Sequence, residues 1–258
     1  MIPLFPPYLF FVVAVTTFVL SKTFNLFFWF VMIDPLAKFN LYEKGALVRN
    51  NLKDIFGDGI FLADHDSWRF HRKTAANIFT TKLYRQLSQG AFTDSAIQLC
   101  EVFDKFSAKD EPVDLQEFFL RMTLDVFGQM TFGVDFKSLS AFEEKFEFGE
   151  AFDYLTSCID HRTLNPFWRW TDHLVPGRTQ ELKNALETVD RYAYSIIGAR
   201  RNEISAMTAK AADEKDQDPQ EKSRRPRDLL DHFITHVRDD GSMLTDPELR
   251  DVFVNFMM

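Results

Sequence analysis

Apolar side chains recur every three or four positions along most of this chain, the period of a helix with one buried face. Leu83, Leu87, Phe92, Leu99, Val102, Phe103 and Phe106 set one such face. Leu115, Phe118, Phe119, Met122, Val126 and Met130 set a second, which Gly133 ends. Ser140 and Glu143 have the spacing of a capping box, so a Phe-rich helix is expected from there to about Arg162. Asn165-Pro166 and Pro176-Gly177 are breaks. Leu182, Ala185, Leu186, Val189, Ala193, Ile196, Ile197 and Ile204 mark one long amphipathic helix. Another is expected to resume at Asp228, with Leu229, Leu230, Phe233, Ile234 and Val237 inward and Asp239-Asp240-Gly241 closing it. Thr245 and Glu248 form a further capping box, with Pro247 in the first turn, where a missing N–H costs nothing. The very apolar run LRDVFVNFMM follows and carries no stop signal. The expected class is mainly α, without solenoid repeats.

Two stretches depart from this pattern. Residues 207–228 carry six basic and six acidic side chains and almost no large apolar ones. Such a stretch buries too little to offset its ordering, so it reads as a mobile polar loop. At the other end, residues 1–33 carry a single charge, Lys22, and Tyr8–Leu20 carries none. With Leu4 onward the run approaches the ~20 apolar residues that span a bilayer, and Lys22 can snorkel. A cleaved signal fits less well, since there is no basic leading region or clear small-residue cleavage site. Residues 1–33 are therefore expected to be a membrane anchor, and 34–258 the body.

Composition narrows the field. The chain has 258 residues, 46% of them hydrophobic, and a formal net charge of −8. That excludes a chain disordered throughout and gives little support to nucleic-acid binding. Phenylalanine stands out at 29 residues, and few glycines (ten) and few β-branched runs argue against an all-β sandwich or barrel. Two distant cysteines, Cys100 and Cys158, exclude a disulfide scaffold and a four-cysteine zinc site. They fit a body in a reducing compartment.

The stretch GDGIFLADHDSWRFHRKTAANIF, residues 57–79, carries the most chemistry. Asp66 or Ser67 can cap a helix beginning at Trp68. Four residues apart, Trp68 and Arg72 then share a face. An indole N–H and a planar cation side by side make a carboxylate clamp, because both only donate. The competing reading is an exposed basic face with a tryptophan packed into the core, and spacing alone favours it.

The surrounding order favours the clamp. FNLYEKG (39–45) and NLKDIFGDGIF (51–61) lead in. The Phe-rich helix, NPFWRW (165–170), IIGARRNEI, DLLDHFITHV and LTDPELRDVFVNFMM follow. Together, over about residues 34–258, they resemble the N-terminal half of a cytochrome P-450, a haem-thiolate monooxygenase, most like the fatty-acid ω-hydroxylase branch. The resemblance implies a partial cytochrome P-450 fold, roughly the B′ to early I helix region, behind a hydrophobic N-terminal helix. It implies that Trp68 and Arg72 donate to a haem propionate. Arg69 and Lys73 would lie toward the face where an NADPH-dependent reductase docks, and Phe61 in a loop covering an apolar substrate. The Phe-rich helix and the helix after Pro176 would roof that substrate. Localisation would be the endoplasmic reticulum membrane, with a cytosolic body.

The family's iron-ligating cysteine loop and oxygen-activating acid–Thr pair find no counterpart. Cys100 and Cys158 sit on expected helices, so no catalytic residue and no metal ligand is assigned, and thiolate ligation of haem from this chain alone is not expected. Glu221–Arg224, in the polar loop, matches the family's Glu-x-x-Arg only by chance. His232 and His236 have a two-histidine metal spacing without an obvious third ligand, and His161 and His173 lack a carboxylate partner at helix spacing. The alternative function is a non-catalytic, membrane-anchored helical remnant or interaction protein.

Overall fold

The computed structural model describes residues 22, 41–76, 81–213, 228–238 and 241–258, with backbone alone at 81–88, 173 and 210–213. The chain divides into residues 1–45 and 46–258. The expected anchor at 1–33 lies outside the described residues except Lys22. No helix among the described residues is long and apolar enough to cross a membrane.

Helices account for most of the described chain: α1 (Gly45–Phe56), α2 (His65–Ala76), α3 (Thr81–Lys109), α4 (Leu115–Phe132), α5 (Glu147–Leu164), α6 (Trp168–Leu174), α7 (Arg178–Asp213), α8 (Leu229–Ile234) and α9 (Asp246–Met257). The β contribution among them is one isolated antiparallel bridge, Val237 with Met243. The expected mainly-α class holds.

The core forms where α7 packs on α5 and α9, with α4 and α8 closing it. Ala185, Val189, Ala193 and Ile197 lie on the buried stripe of α7, each near-fully enclosed, as their spacing predicts. Phe132 of α4, Phe148 of α5 and Phe253 of α9 meet at its centre, with Phe132 and Phe253 4.6 Å apart. A second cluster joins α3 to α4 through Leu99, Val102 and Phe118.

Several local expectations hold. Gly133 ends α4 at φ 62°. A Cβ there would lie 2.3 Å from Arg200 Nη2, so both conformation and space require glycine. The Thr245–Glu248 capping box is formed on both sides.

Others are corrected. The Ser140–Glu143 pair caps nothing: Ser140 Oγ donates to Lys137 O, residues 138–144 turn, and α5 begins at Glu147. The competing force is long-range. The buried Asp125 carboxylate accepts from the amides of Ser138 and Leu139, both at 3.0 Å, and Leu139 is sealed beneath the turn. Residues 207–213 are the last turns of α7, not loop; 214–227, including Glu221 and Arg224, lie outside the described residues. Val237 is exposed, because the chain leaves the helix at Thr235 and enters the bridge. Phe92, Leu115 and Phe119 are about half exposed and do not join the buried faces assigned to them.

Candidate functional site

Helix α2 starts at His65, not Trp68, and the Trp68 amide bonds Asp64 O within its first turn. Asp66 is not a cap; it pairs with Arg69 at 2.7 Å. The buried face of α2 consists of His71, Thr74 and Ala75, with Phe70 partly buried beside them. This face rests on α8 and the residues just after it: the Phe70 ring is 6.1 Å from Phe233 and 4.9 Å from His236. The opposite side therefore carries Trp68, Arg69, Arg72 and Lys73.

Trp68 is half-buried and is not among the described residues that form the core clusters. Arg72 is exposed and has no ion-pair partner among the described residues. A donor-only cation beside an indole on one helical face suits a carboxylate. Lys73 is exposed, and Arg69 is exposed but tied to Asp66.

The segment before α2 is held from outside itself. It turns through Gly57 (φ 58°), with Leu62 N and Ala63 N donating to Gly59 O at 3.0 and 2.8 Å. Three polar residues of α9 fix it. Asp251 Oδ2 accepts from Asp58 N at 2.8 Å. Asn255 accepts from Phe61 N at 2.9 Å and donates to Phe56 O at 2.7 Å. Arg250 donates to Ile55 O at 2.8 Å. A Cβ at Gly57 or Gly59 would collide with Asp251 or Asn255, so the GDG element is the seat for α9. Arg49 of α1 closes the other end, 2.8 Å from Asp64. Phe61 is half exposed and meets Phe56 edge-on at 5.3 Å.

Sequence reasoning did not single out Arg250, Asp251 and Asn255. The signal was present: Asp251 and Asn255, four apart in an otherwise apolar helix, must have partners if buried.

Neither cysteine suits a metal. Burial pushes the Cys158 thiol up, away from the thiolate a metal requires, and Cys100 is an exposed residue of α3. No group of three or more metal-binding side chains occurs among the described residues. The phenylalanines of α5 mostly fill the core: Phe148 stacks on Phe136 and Phe152 and touches Phe253. An apolar cleft of about 650 Å³ lies between α4, α5 and the end of α9, lined by Leu124, Phe127, Phe152 and Phe256 among others.

A solved cytochrome P450 structure, CYP102L1, superposes with a TM-score of 0.59 over 84% of this chain and 42% of that one, at 16% identity, which speaks to fold alone. The cytochrome P450 family model matches residues 16–258, and the chain belongs to that family. Haem is the family's cofactor.

Among its relatives, cytochrome P450 monooxygenase cyp1 of Mycosarcoma maydis is 29% identical over 222 residues, covering 86% of this chain and 33% of the relative. Cytochrome P450 86B1 of Arabidopsis thaliana is 31% identical over 224 residues, 86% of this chain and 38% of the relative. Cytochrome P450 94C1 of the same plant is 29% identical over 229 residues, 86% and 41%. The chain thus spans well under half the length of these relatives.

Proposed function

We propose that this chain is the haem-cradling N-terminal portion of a monooxygenase that hydroxylates fatty acids or similar apolar chains with O₂ and electrons from an NADPH-dependent reductase. The observation that carries the reading is the Trp68–Arg72 face of α2: exposed, basic, and set directly after a loop that α9 holds in place. The Trp68 indole N–H and the Arg72 guanidinium would hold a haem propionate, each as a donor to the same carboxylate. When bound, haem supplies oxygen activation through a thiolate that donates electron density to iron. This chain's own residues contribute binding and position. Arg72 offers the counter-charge, the α9 contacts set the height of the Phe61 ring over the substrate space, and Lys73 with Arg69 presents positive charge to a reductase. The uncharged run at residues 8–20 supports attachment to the endoplasmic reticulum membrane, with the body in the cytosol.

Two experiments test this. The transcript is read beyond the Met258 codon; an in-frame continuation with a cysteine loop supports the enzyme, while an authentic stop supports the non-catalytic remnant. In the continued protein, Arg72→Leu and Trp68→Phe are compared with wild type for haem retained after gel filtration. The expected result is a several-fold loss of haem with far-UV circular dichroism unchanged. Full retention in Arg72→Leu would overturn the propionate role. The 258-residue chain alone is expected to show no reduced-CO absorption band of a haem thiolate.

A further inference from the structure

Away from α2, the corner where α5, α6 and α7 meet encloses a cavity of about 230 Å³. Arg162 of α5, Trp168, Arg169 and Asp172 of α6, and Arg178 and Thr179 at the start of α7 line it. Three guanidiniums converging on so small a space repel one another unless negative charge balances them. Part of that balance is present. Asp54 takes both terminal nitrogens of Arg162, at 2.7 and 2.9 Å. Asp172 Oδ1 lies 3.1 Å from Arg178 Nε and 3.6 Å from His161 Nε2. Arg169 has no carboxylate among the described residues; its guanidinium lies 5.4 Å from the Trp168 ring centroid, on which Arg162 also stacks at 4.3 Å. Cys158, also in the wall, contributes no charge, since burial keeps its thiol protonated. One positive charge is left over.

Unpaired polar atoms remain in the wall of this cavity. Arg162 is 2% exposed, and its Nε has no hydrogen-bond acceptor; Asp172 Oδ1, in ionic contact with Arg178, accepts no hydrogen bond either. A buried charged donor without an acceptor is costly, so such an atom marks a place where a ligand gains. In the first turn of α7 the amides of Arg178 and Glu181 reach carbonyls, but that of Thr179 has no acceptor among the described residues. A helix of 36 residues adds the positive end of its dipole there.

We propose that this cavity binds a singly charged oxyanion headgroup, a carboxylate or a phosphodiester, with Arg169 as its principal counter-ion and Arg162 Nε and the Thr179 amide as hydrogen-bond donors. A dianion is disfavoured, because one excess charge awaits it and Asp172 stands beside it. Leu182, in the same wall, accommodates the first carbons of an attached chain.

Calorimetric titration of the full 258-residue chain tests the site with three probes: hexanoate, dibutyl phosphate and, as a neutral control, hexan-1-ol. Saturable binding of either anion, with hexan-1-ol inert, is the expected result. Hexanoate binding the tighter assigns the site to free carboxylates, and dibutyl phosphate the tighter assigns it to lipid-type headgroups. Arg169→Gln, an exposed substitution with no ion pair to break, should weaken binding at least about tenfold, and Arg169→Lys should restore most of it. Failure of both anions to bind, equal binding of hexan-1-ol, or unchanged affinity in Arg169→Gln overturns the proposal.

Discussion

Asn255 holds the loop ahead of the Trp68 helix to α9, and its removal has a calculable cost. The residue is 3% exposed. Truncation to alanine strips the Phe61 amide of its acceptor at 2.9 Å and Phe56 O of a donor at 2.7 Å. Phe56 O keeps a weaker bond from Gly59 N at 3.3 Å, so the Phe61 amide bears most of the penalty. An unsatisfied, partly buried amide costs about 1–2 kcal/mol, and the lost carbonyl bond with the small void adds about 1 kcal/mol. The expected total is about 2–3 kcal/mol, or about 4–12 °C in Tm for a body of this size. Urea unfolding followed by circular dichroism measures it, with the slope unchanged. Hydrogen exchange resolves where the loss falls: the Phe61 amide should lose protection in Asn255→Ala while α7 does not. Asn255→Asp keeps the acceptor but buries a charge and turns a carboxylate oxygen on the carbonyls of Phe56 and Asp251, so it should cost at least as much as alanine. A change below about 0.5 kcal/mol with Phe61 protection intact would refute the idea that α9 positions this loop.

Other perturbations follow from the same packing. Asp54→Ala should destabilise more than Arg162→Met, by urea midpoint. The first strands a guanidinium that is 2% exposed and should cost about 3 kcal/mol, whereas the second frees a carboxylate 41% exposed that water can reclaim. Gly133→Ala forces a side chain into φ 62° and against Arg200 Nη2, which bonds Phe132 O and Asp228; a loss above about 3 kcal/mol is expected in the same assay. Burial raises the Asp228 carboxyl to about 6, outweighing the pull of Arg200. The folded state then holds the proton more tightly than the unfolded one, so this group's contribution is greatest below pH ~4, falls through pH 4–6 by up to about 3 kcal/mol, and is flat above. Asp228→Asn should abolish that slope in unfolding free energies measured from pH 4 to 8.

What could be read from sequence is what local periodicity decides. The stripe of α7, the stop of α4 and the capping box of α9 all rest on contacts within one or two turns, and each formed as its spacing indicated. Where a distant residue competes, the local signal failed. Ser140 and Glu143 had the right spacing, but Asp125 had already claimed the amides of Ser138 and Leu139. Helix α6 had no legible face at all. Its seven residues depend on others for purchase: Trp168 Nε1 donates to Asn51 Oδ1 at 2.8 Å, and Arg162 stacks on its ring. The Trp68–Arg72 pair was visible as a motif, since four-residue spacing alone puts both on one face. Its mounting was not visible, because Asp251 and Asn255 lie more than 180 residues away from the loop they hold.

That mounting changes what the glycine motif means. In the sequence, GDG stands shortly ahead of the Trp68 helix. In the fold, both glycines are places where α9 side chains come closer than any Cβ would permit. Asp251 and Asn255 then fill the vacated space and bond the loop's own amides. The loop is therefore stiff at its base and open at Phe61, whose ring stays half exposed while its backbone is pinned. It also couples the seat of α2 to α9, so a shift along α9 reaches Phe61 through Asn255, and the start of α2 a few residues further on. Substitutions at Asn255 should consequently alter Phe61 exchange and Trp68 fluorescence together, whereas substitutions at Arg49, which grips the loop's other end at Asp64, should alter Trp68 fluorescence with Phe61 protection retained.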